Sequence, residues 1–391
     1  MVAYTFYEGD NRVRRYAETL ARRGDSVDVV SLRSEEQSTE EVVINGVRVY
    51  RIQRRVKDEK TKLEYLSRLL LFFLRSMYFL MRKQIEGGYD LIHVHSVPDF
   101  EVFAAWYPKM AGSKIILDIH DILPEFYASK FNSSQKSLTF KLLVAIERMS
   151  AAFSDHVVVA NHIWEKRLRE RSVKSAKCTT ILNYPDTHIF RKRGRDRNDN
   201  KFIVLYPGTI NYHQGLDIAI RAFSLIKDEI PEAEFHIYGS GDQFNFLRSL
   251  IDELGLQRRV YLKGLVAIDQ MASVIENADL GVVPKRSTGF GNEAFSTKIL
   301  EFMSMGVPVI VPDTAIDQYY FDDSVATFFH ANDARSLADA MVLLFKNAEL
   351  RRQLVLNASE FVKKYTWDLN ESVYLNLVSS LLHGRNGHKH S

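Results

Sequence analysis

The sequence predicts an α/β protein of two domains, each built around a doubly wound parallel sheet. Its 391 residues are many for one hydrophobic core and suit two domains of about 190 residues each. Alternating strand and helix patterns begin near Val2 and begin again at Phe202. A charged run without apolar side chains, residues 191–200, separates the two series and is typical of a linker.

We therefore expect two Rossmann-like domains with a C-terminal extension. The predicted N-terminal domain covers residues 1–190, a linker covers 191–200, and the second domain covers 201–364. A last amphipathic helix follows over residues 365–383, and a disordered polar tail over 384–391.

Composition excludes several classes of protein. Hydrophobic residues make up 46% of the chain and aromatic residues 12%, which suits well-filled interiors. A single cysteine, Cys178, excludes an internal disulfide framework and fits a reducing cytoplasm. No uncharged apolar run approaches the ~20 residues that span a bilayer, and no signal-peptide pattern precedes the acidic turn at Glu8.

Charge is divided unevenly along the chain. Residues 1–200 carry 34 Lys and Arg against 26 Asp and Glu, whereas residues 201–391 carry 18 against 23. The positive first half favours an anionic partner. The basic run 191–200 also fits a nucleic-acid patch, but no aromatic residues interleave its charges, so we predict no nucleic-acid partner.

The first half opens with a βαβ pattern, followed by a hairpin and a long helix. Strand patterns cover residues 2–7 and 26–32, and a helical pattern, Arg12–Arg23, joins them. Asn45-Gly46 is a hairpin turn signal. The long helix is predicted over residues 62–85.

This long helix has two interpretations. Arg68, Arg75 and Arg82 lie seven residues apart and therefore on one slowly drifting face, while the rest of the surface is unusually apolar. One interpretation is a core helix with a solvated arginine stripe. The other is a helix that dips into the headgroups of an anionic membrane, with its arginines on phosphates.

Two polar clusters of the first half follow strand patterns, where α/β sheets place their sites. His95 ends the pattern of residues 91–95. His120 and Asp121 follow the pattern that ends at Asp118. A lone histidine is usually structural, but the acids around His120 make it a functional candidate.

Residues 278–312 carry the densest pattern of the chain, which is a strand, a polar loop with glycines, a helix and a second strand. The loop ends at Phe295-Ser296-Thr297, where free helix N–H groups and the positive dipole end suit a diphosphate. Ser296 is a candidate helix cap. Lys285, Arg286 and Lys298 place three cations around this loop, as a diphosphate leaving group requires.

Two carboxylates bracket the start of that helix. Glu293 precedes it, and Glu301 lies eight residues later, about two helical turns away. One is placed to accept from sugar hydroxyls and the other from the ribose of one extended ligand. The spacing alone equally fits an ordinary helix with two solvated acids, but the Pro-Lys-Arg before it and the Met-Gly-Val-Pro-Val-Ile after it weigh against that.

Glu293, Glu301 and these flanking segments resemble the signature of retaining nucleotide-sugar glycosyltransferases of family four, the group 1 enzymes of the GT-B fold, of bacterial surface-polysaccharide type. The resemblance implies two Rossmann-like domains that face a cleft, with the donor bound mainly by residues 208–301 and the acceptor by the first domain. It also implies that the helix over 365–383 crosses back onto the first domain.

The resemblance assigns a role to each candidate residue. Glu293 is expected to position donor hydroxyls and Glu301 to hold the ribose. His120 is expected to contact the sugar from across the cleft, and Asp121 beside it is a further catalytic candidate. The diphosphate is expected to meet the three cations and the helix start, namely Lys285, Arg286, Lys298, Phe295, Ser296 and Thr297.

One loop departs from the family pattern. The family commonly has an arginine and a lysine in the loop from Gly208 to Gly215, where they bind the diphosphate, but this chain has Thr209 and Gln214. We expect Lys285 and Arg286 to replace them. Two further positions are candidates for nucleotide binding. Gly239 opens a small glycine loop, which is a weak signal by itself. Lys263 ends a strand pattern that is similar to the one where the family's main chain meets the base.

The predicted function is retaining, metal-independent transfer of a sugar from a nucleotide-diphosphate sugar to a lipid-linked glycan, in polysaccharide or glycolipid biosynthesis. A UDP-sugar is favoured over a GDP-sugar, with no cofactor. No metal is expected because no His, Asp or Glu cluster has ligand spacing. The predicted location is the cytoplasm, with peripheral binding to the inner face of the cell membrane.

Two alternatives stay open. A nucleotide-sugar epimerase on the same fold would turn over the donor without an acceptor. A catalytically silent GT-B partner subunit would fit Thr209 and Gln214 and would bind its partner without activity. A glycogen-type phosphorylase would need a pyridoxal-phosphate lysine and a much longer chain.

Overall fold

A computed structural model of the chain describes residues 1–34, 39–55, 62–130 and 134–383. The chain forms two compact units, each with its own sheet. Unit 1 consists of Met1–Asn183 and Asn370–Ser391, and unit 2 consists of Tyr184–Leu369. The change of unit therefore comes at Asn183, before the charged run that was predicted as the linker. The predicted disordered tail, 384–391, lies outside the described residues.

Unit 1 is built on an eight-stranded sheet in the order β3-β4-β2-β1-β5-β6-β7-β8. All neighbours run parallel except β3 and β4, which form the hairpin predicted at Asn45-Gly46. Its strands are β1 (Val2–Ala3), β2 (Asp28–Arg33), β3 (Glu41–Ile44), β4 (Val47–Arg54), β5 (Leu91–His95), β6 (Lys114–Ile119), β7 (His156–Val159) and β8 (Cys178–Thr180).

Helices connect the parallel strands of unit 1. They are α1 (Asn11–Arg23), α2 (Lys62–Glu86), α3 (Trp106–Met110), α4 (Leu123–Lys130), α5 (Leu138–Phe153) and α6 (His162–Arg171). The first helix begins where the Asp10 side chain accepts from the Arg12 and Val13 N–H groups, and it ends at Gly24, whose φ of 100° suits a left-handed cap. The predicted boundaries of α1 and α2 are thus confirmed within one residue.

The predicted first strand is shorter than expected. Only Val2 and Ala3 pair with β2 and β5. The Thr5 N–H then donates back to the Ala3 carbonyl at 2.8 Å, and a 3₁₀ turn occupies Tyr7–Gly9. The apolar pattern continued past the strand because Tyr7 is buried in the core without belonging to the sheet.

Unit 2 repeats the plan with a parallel sheet in the order β11-β10-β9-β12-β13-β14. Its strands are β9 (Phe202–Pro207), β10 (Ala233–Tyr238), β11 (Val260–Gly264), β12 (Leu280–Val282), β13 (Val309–Pro312) and β14 (Thr327–Phe329). Its helices are α7 (Leu216–Ile226), α8 (Phe244–Glu253), α9 (Ile268–Glu276), α10 (Thr297–Ser304), α11 (Ala315–Tyr320), α12 (Ala334–Lys346) and α13 (Ala348–Val362). A last helix, α14 (Trp367–His383), starts in unit 2, and its residues from Asn370 belong to unit 1.

The charged run 191–200 is held against unit 2. The backbone N–H groups of Arg193 and Gly194 donate to the Glu276 carboxylate at 2.5 and 2.6 Å. Arg197 forms an ion pair with Asp279. These contacts explain why a segment with no apolar side chain has a defined path.

The long helix α2 has an apolar exposed face. Leu66, Leu70, Leu74 and Tyr78 lie four residues apart and are 46%, 46%, 52% and 69% exposed. We call these four residues the α2 stripe. None of the helices that the structure describes combines the length and the apolar character needed to cross a bilayer.

The arginines of α2 have partners within unit 1. Arg68 pairs with Glu64 and Arg82 with Glu86, each one helical turn away, and Arg75 donates to the Ile52 carbonyl at 3.1 Å. The apolar residues, rather than the arginines, therefore present the free surface of this helix.

Candidate active site

The carboxyl ends of β9, β10 and β11 meet through glycines. The Gly208 N–H donates to the Tyr238 carbonyl at 2.8 Å, and the Gly239 N–H donates to the Gly264 carbonyl at 2.7 Å. A methyl group on Gly239 would come within 1.8 Å of the Gly208 carbonyl oxygen. Only glycine permits this approach, so the predicted loops at Gly208 and Gly239 form one continuous backbone surface.

Lys298 crosses this surface. Its Cε would lie 2.2 Å and its Nζ 3.0 Å from a methyl group on Gly208, so the side chain occupies the space that this glycine leaves open. The Nζ lies 5.7 Å from the centroid of the Tyr206 ring. Lys298 forms no ion pair with any residue of the described ranges. Burial lowers the pKa of Lys298, Glu301 opposes that shift, and Lys285 adds to it.

The start of α10 differs from the prediction for Ser296. This residue has the backbone conformation of a helix cap, but its side chain makes no capping bond, which corrects the predicted role. The Ser296 Oγ is buried without a hydrogen-bond partner among the residues that the structure covers. Phe295 packs its ring against Tyr320, with centroids 4.9 Å apart, so it anchors the loop. Thr297 is the first helical residue, with its N–H group at the free helix start.

Lys285 is not placed to bind a diphosphate. Its Nζ lies 2.9 Å from the Asp317 carboxylate and donates to the Ala294 carbonyl at 2.8 Å. Lys285 is only 4% exposed. The prediction that it faces the ligand is therefore corrected, because an internal acid already neutralises this cation.

Arg286 has a similar partner. It donates to both carboxylate oxygens of Asp217 at 2.7 Å, and its guanidinium lies 4.2 Å from the centroid of the Tyr212 ring. This ion pair, made by the Arg286 Nη2 alone, fixes the loop between β12 and α10 to the start of α7. Arg286 is therefore a loop anchor, and the predicted replacement of the missing cations by Lys285 and Arg286 does not match this arrangement.

The two predicted glutamates lie on either side of the helix start. Glu293 follows a 3₁₀ turn at Gly289–Asn292, and its N–H donates to the Phe290 carbonyl at 3.1 Å. Glu301 lies one turn into α10. Burial raises its pKa, and Lys298 and a hydrogen bond from Thr297 oppose that shift. Glu301 is thus a half-buried acid whose charge acts on Lys298, but the two side chains do not form an ion pair.

The remaining predicted contacts lie around the same sheet edge. The Thr209 carbonyl accepts from the Tyr206 hydroxyl at 2.9 Å, while Thr209 itself is exposed. Gln214 ends a 3₁₀ turn, and its N–H donates to the Asn211 carbonyl. Lys263 is exposed in β11 with its Nζ 4.8 Å from the Tyr261 ring centroid. None of these side chains supplies a second cation next to Lys298.

Unit 1 has its own polar cluster at the carboxyl ends of β5 and β6. Asp118 forms a bidentate pair with Arg12, at 2.8 Å from Nε and 2.7 Å from Nη2. His95 and His120 each approach the same Asp118 Oδ2 at 3.2 Å, and His93 lies 3.7 Å from it. We call Asp118 with these three histidines the Asp118 cluster.

Burial sets the charge states in this cluster. It lowers the pKa of His95 to about 4 and that of His93 well below its ordinary value, so both rings are neutral. Burial by itself raises the pKa of Asp118, but Arg12 and the histidines together hold it well below its usual range. Asp121, next to His120, has its pKa raised by burial. The predicted pair His120 and Asp121 thus lies beside a permanently ionised carboxylate.

Two family models match consecutive parts of the chain. "Glycosyl transferase 4-like domain" matches residues 9–183, and "Glycosyl transferases group 1" matches residues 189–361. Together they account for both units. The chain belongs to the group 1 glycosyltransferases.

A curated protein and several solved structures resemble nearly the whole chain. The phosphatidyl-myo-inositol mannosyltransferase of Mycobacterium leprae is 23% identical over 95% of this chain and 92% of its own. A sucrose-phosphate synthase structure from Thermosynechococcus elongatus has a TM-score of 0.79 at 20% identity, covering 97% of this chain and 99% of its own. The Anabaena protein HepE, in complex with UDP and glucose, has a TM-score of 0.74 at 14% identity, covering 97% and 98%. These structures confirm the predicted GT-B fold.

Several residues of this glycosyltransferase site were not predicted from the sequence. Asp317 and Asp217 neutralise two of the predicted cations, and Arg12 anchors Asp118 from 106 positions away. Asp317 has Asp313 and Asp322 as near neighbours in the sequence, so nothing local marked it as the buried and paired acid. The pairing of Arg12 with Asp118 had no local signal.

Proposed function

We propose that this glycosyltransferase uses a nucleotide-diphosphate sugar and binds it at the carboxyl edge of the unit 2 sheet. One observation carries the proposal: Lys298 lies over Gly208 at the start of α10 and forms no ion pair with a described residue. A half-buried cation needs an anion, and the free N–H groups of the helix start favour negative charge at the same place. A diphosphate provides that charge.

The neighbouring groups complete the proposed donor site. The Ser296 Oγ is a buried hydroxyl without a partner in the described part of the chain, and a phosphate oxygen satisfies it. Glu301, one turn further along α10, accepts from ribose hydroxyls. Glu293, before the helix, positions hydroxyls of the transferred sugar. A UDP-sugar is the favoured donor, and the Anabaena relative in complex with UDP and glucose supports this choice.

We propose retention of configuration and no requirement for a metal ion. Lys298 and the helix start stabilise the diphosphate as it leaves, which is the role that a divalent cation has in other enzymes. Turnover is expected to survive excess EDTA, and the product is expected to keep the anomeric configuration of the donor, as read by proton NMR. Loss of turnover with EDTA and its return with Mn²⁺ would contradict the first expectation, and an inverted product the second.

The acceptor proposed is a glycan carried by a lipid, and the enzyme is proposed to associate peripherally with an anionic membrane through α2. Support comes from the α2 stripe, from the positive first half of the chain, and from the name of the M. leprae relative, phosphatidyl-myo-inositol mannosyltransferase. Polysaccharide or glycolipid biosynthesis is the corresponding role.

The deciding experiment is calorimetry of the unmodified protein against UDP, GDP and ADP, followed by the Lys298→Met variant. Methionine keeps the length and the contact with Tyr206 but removes the charge. A lost charge-assisted hydrogen bond is worth about 1.5–3 kcal/mol, so we expect the dissociation constant to rise about 10- to 100-fold. Lys346→Met, which removes an exposed lysine paired with Glu229, is the matched control and should bind normally.

The outcomes separate the proposal from its rival. Binding of one nucleotide that weakens only in Lys298→Met supports the donor site. If the unmodified protein binds none of the three at millimolar concentration, the silent partner subunit becomes the better description. Release of nucleoside diphosphate from UDP-glucose, UDP-N-acetylglucosamine or GDP-mannose then identifies the donor.

A further inference from the structure

We propose that Asp118 is a positioning residue for the reaction, which holds His120 in the tautomer with hydrogen on Nε2 and leaves Nδ1 as an acceptor for a substrate hydroxyl. This inference deepens the proposed function, because the hydroxyl is that of a sugar or glycan. It assigns a role to a carboxylate that does not itself reach the substrate.

Exposure within the Asp118 cluster falls into two classes. The side chains of His93, His95 and Asp118 are 0–2% exposed, whereas His120 is 20% exposed. His120 directly follows β6, at the carboxyl edge of the sheet. It is therefore the member of the cluster through which the buried charge can act on a ligand.

Asp118 is held rigidly by groups from distant parts of unit 1. Arg12 occupies both carboxylate oxygens, and its Nη1 also donates to the Ile181 carbonyl at 2.7 Å and to the Asn183 Oδ1 at 2.8 Å. The His120 backbone N–H donates to the Ser96 Oγ at 3.3 Å. The Asp118 carboxylate and the His120 backbone are thus both fixed before a substrate binds.

The ionised state of Asp118 determines the tautomer. A carboxylate accepts hydrogen bonds and donates none, so an imidazole nitrogen 3.2 Å from Oδ2 must carry the hydrogen. This puts hydrogen on Nε2 of His120. The neutral ring then has its lone pair on Nδ1, and no described residue forms a hydrogen bond with that nitrogen.

The neighbouring histidine supports the same assignment. His95 Nδ1 lies 3.2 Å from Asp118 Oδ2 and 3.1 Å from His120 Nε2. If either nitrogen lacked its hydrogen, two acceptors would face each other across 3.2 Å. Both rings therefore donate to the shared oxygen, and the carboxylate charge offsets the repulsion between the two N–H groups.

A metal ion is the competing use of these groups. Ligand atoms of His93, His95 and Asp118 lie within 4.8 Å of one another. Both oxygens of Asp118, however, already accept from Arg12, and a second cation next to the buried guanidinium would be repelled. The contacts around Asp118 therefore favour positioning of His120 over metal binding.

The first test needs no substrate. Histidine labelled with ¹³C and ¹⁵N is introduced into the full chain, and long-range ¹H–¹⁵N spectra distinguish the tautomers of a neutral ring. His120 is assigned as the signal that disappears in His120→Gln. Hydrogen on Nε2 supports the proposal, and hydrogen on Nδ1 of the neutral ring overturns it. The result stands whether or not the donor is a nucleotide sugar.

The second test is a double-mutant cycle on release of nucleoside diphosphate from the donor found in the screen. We expect Asp118→Asn to lower kcat about 10- to 100-fold with little change in KM, because the amide cannot fix the tautomer. In the His120→Gln background the same change should cost less than about twofold. An equal loss in both backgrounds would show that Asp118 acts on stability alone.

A matched variant separates positioning from folding. Glu125→Gln removes another buried carboxylate, which pairs with Arg167 and Arg171 outside the Asp118 cluster. We expect it to lower the melting temperature and to leave kcat within about twofold. If Asp118→Asn does not fold, the tautomer spectrum of the unmodified protein decides. If the unmodified protein turns over no donor, the proposed function fails, but that spectrum still tests the positioning role.

Discussion

Unit 1 and unit 2 both place charged side chains at the carboxyl ends of their parallel strands, but they balance those charges differently. In unit 1 the Asp118 carboxylate meets Arg12 with both oxygens and two imidazoles with one of them. In unit 2 Lys298 has no ion pair with a residue of the described ranges. The charge of Asp118 is therefore balanced within unit 1, whereas the charge of Lys298 has no ion-pair partner among the described residues of unit 2.

The difference indicates how each edge is used. A carboxylate whose charge is already balanced gains little from a further cation, but it can hold an exposed neighbour such as His120 in one orientation. A half-buried cation without an ion pair gains one when a diphosphate binds. The free energy of that new ion pair offsets the cost of burying the cation and contributes to affinity. The same distinction separates Lys285 from Lys298, because Lys285 forms an ion pair with Asp317, whereas no acid among the described residues lies within ion-pair distance of Lys298.

The largest expected effect tests this distinction between the lysines. Lys285→Met leaves Asp317 buried without its cation, and breaking a buried pair costs about 3–5 kcal/mol. Lys298→Met removes an unpaired charge that burial already disfavours, so we expect unchanged or slightly higher stability. Urea unfolding of the two variants measures both values.

One result for these two variants would contradict the distinction between Lys285 and Lys298. If Lys285→Met is as stable as the unmodified protein and loses nucleotide binding, Lys285 serves the ligand after all. Asp317→Asn provides the check from the other side, because it too should lose about 3–5 kcal/mol while Lys298 keeps its role in binding.

A smaller effect on the free energy of unfolding tests whether every buried acid of unit 1 has a basic partner. Glu101 is fully buried in a 3₁₀ turn at Asp99–Ala105, and no basic side chain of the described residues pairs with it. Burial raises its pKa to about 8. The folded state therefore keeps a proton that the unfolded state releases, and stability falls as the pH rises from about 4.5 towards 8.

Glu101→Gln should remove this dependence. We expect the variant to be more stable than the unmodified protein by about 3 kcal/mol at pH 8 and nearly equal to it near pH 4.5. Glu147→Gln is the control, because Glu147 is paired with Arg171 and its loss should destabilise the protein at both pH values. A pH-independent difference for Glu101→Gln would mean that this carboxyl ionises normally in the fold.

Much of the fold followed from the sequence because it rests on local patterns. The apolar periods of α1 and α2 and the turn at Asn45-Gly46 identify elements from neighbouring residues alone. The short first strand was not predictable, because Tyr7 is buried beside the sheet rather than within it. Sequence patterns report burial more directly than they report strand pairing.

The sequence predicted where the candidate site lies, but it did not predict which acidic side chains neutralise the basic ones. The loop before α10 was identified by its helix start and by the spacing of Glu293 and Glu301. The partners of Lys285 and Arg286 are Asp317 and Asp217, which are 32 and 69 positions away in the chain. Such pairings depend on which loops the sheet order brings together, so counting cations around a loop overestimated the charge available to a ligand.

The smallest expected effect concerns the surface of unit 1 that faces outward on α2. The partners of Arg68, Arg75 and Arg82 within unit 1 leave the α2 stripe as the main free surface of this helix. We expect the protein to float with vesicles containing anionic lipid through apolar contact with this stripe, assisted by basic residues that contribute on the order of 1 kcal/mol each near the surface. Leu70→Glu combined with Leu74→Glu should abolish flotation.

Leu356→Glu is the matched control for that double change, because Leu356 is 57% exposed on α13 of unit 2 and lies outside the stripe. It should float like the unmodified protein. Raising the salt should weaken binding only in part, since the apolar contact is not screened. If the Leu70 and Leu74 variant floats as well as the unmodified protein, the α2 stripe does not bind the membrane. If the unmodified protein is recovered equally with and without anionic lipid, membrane association is no part of its function.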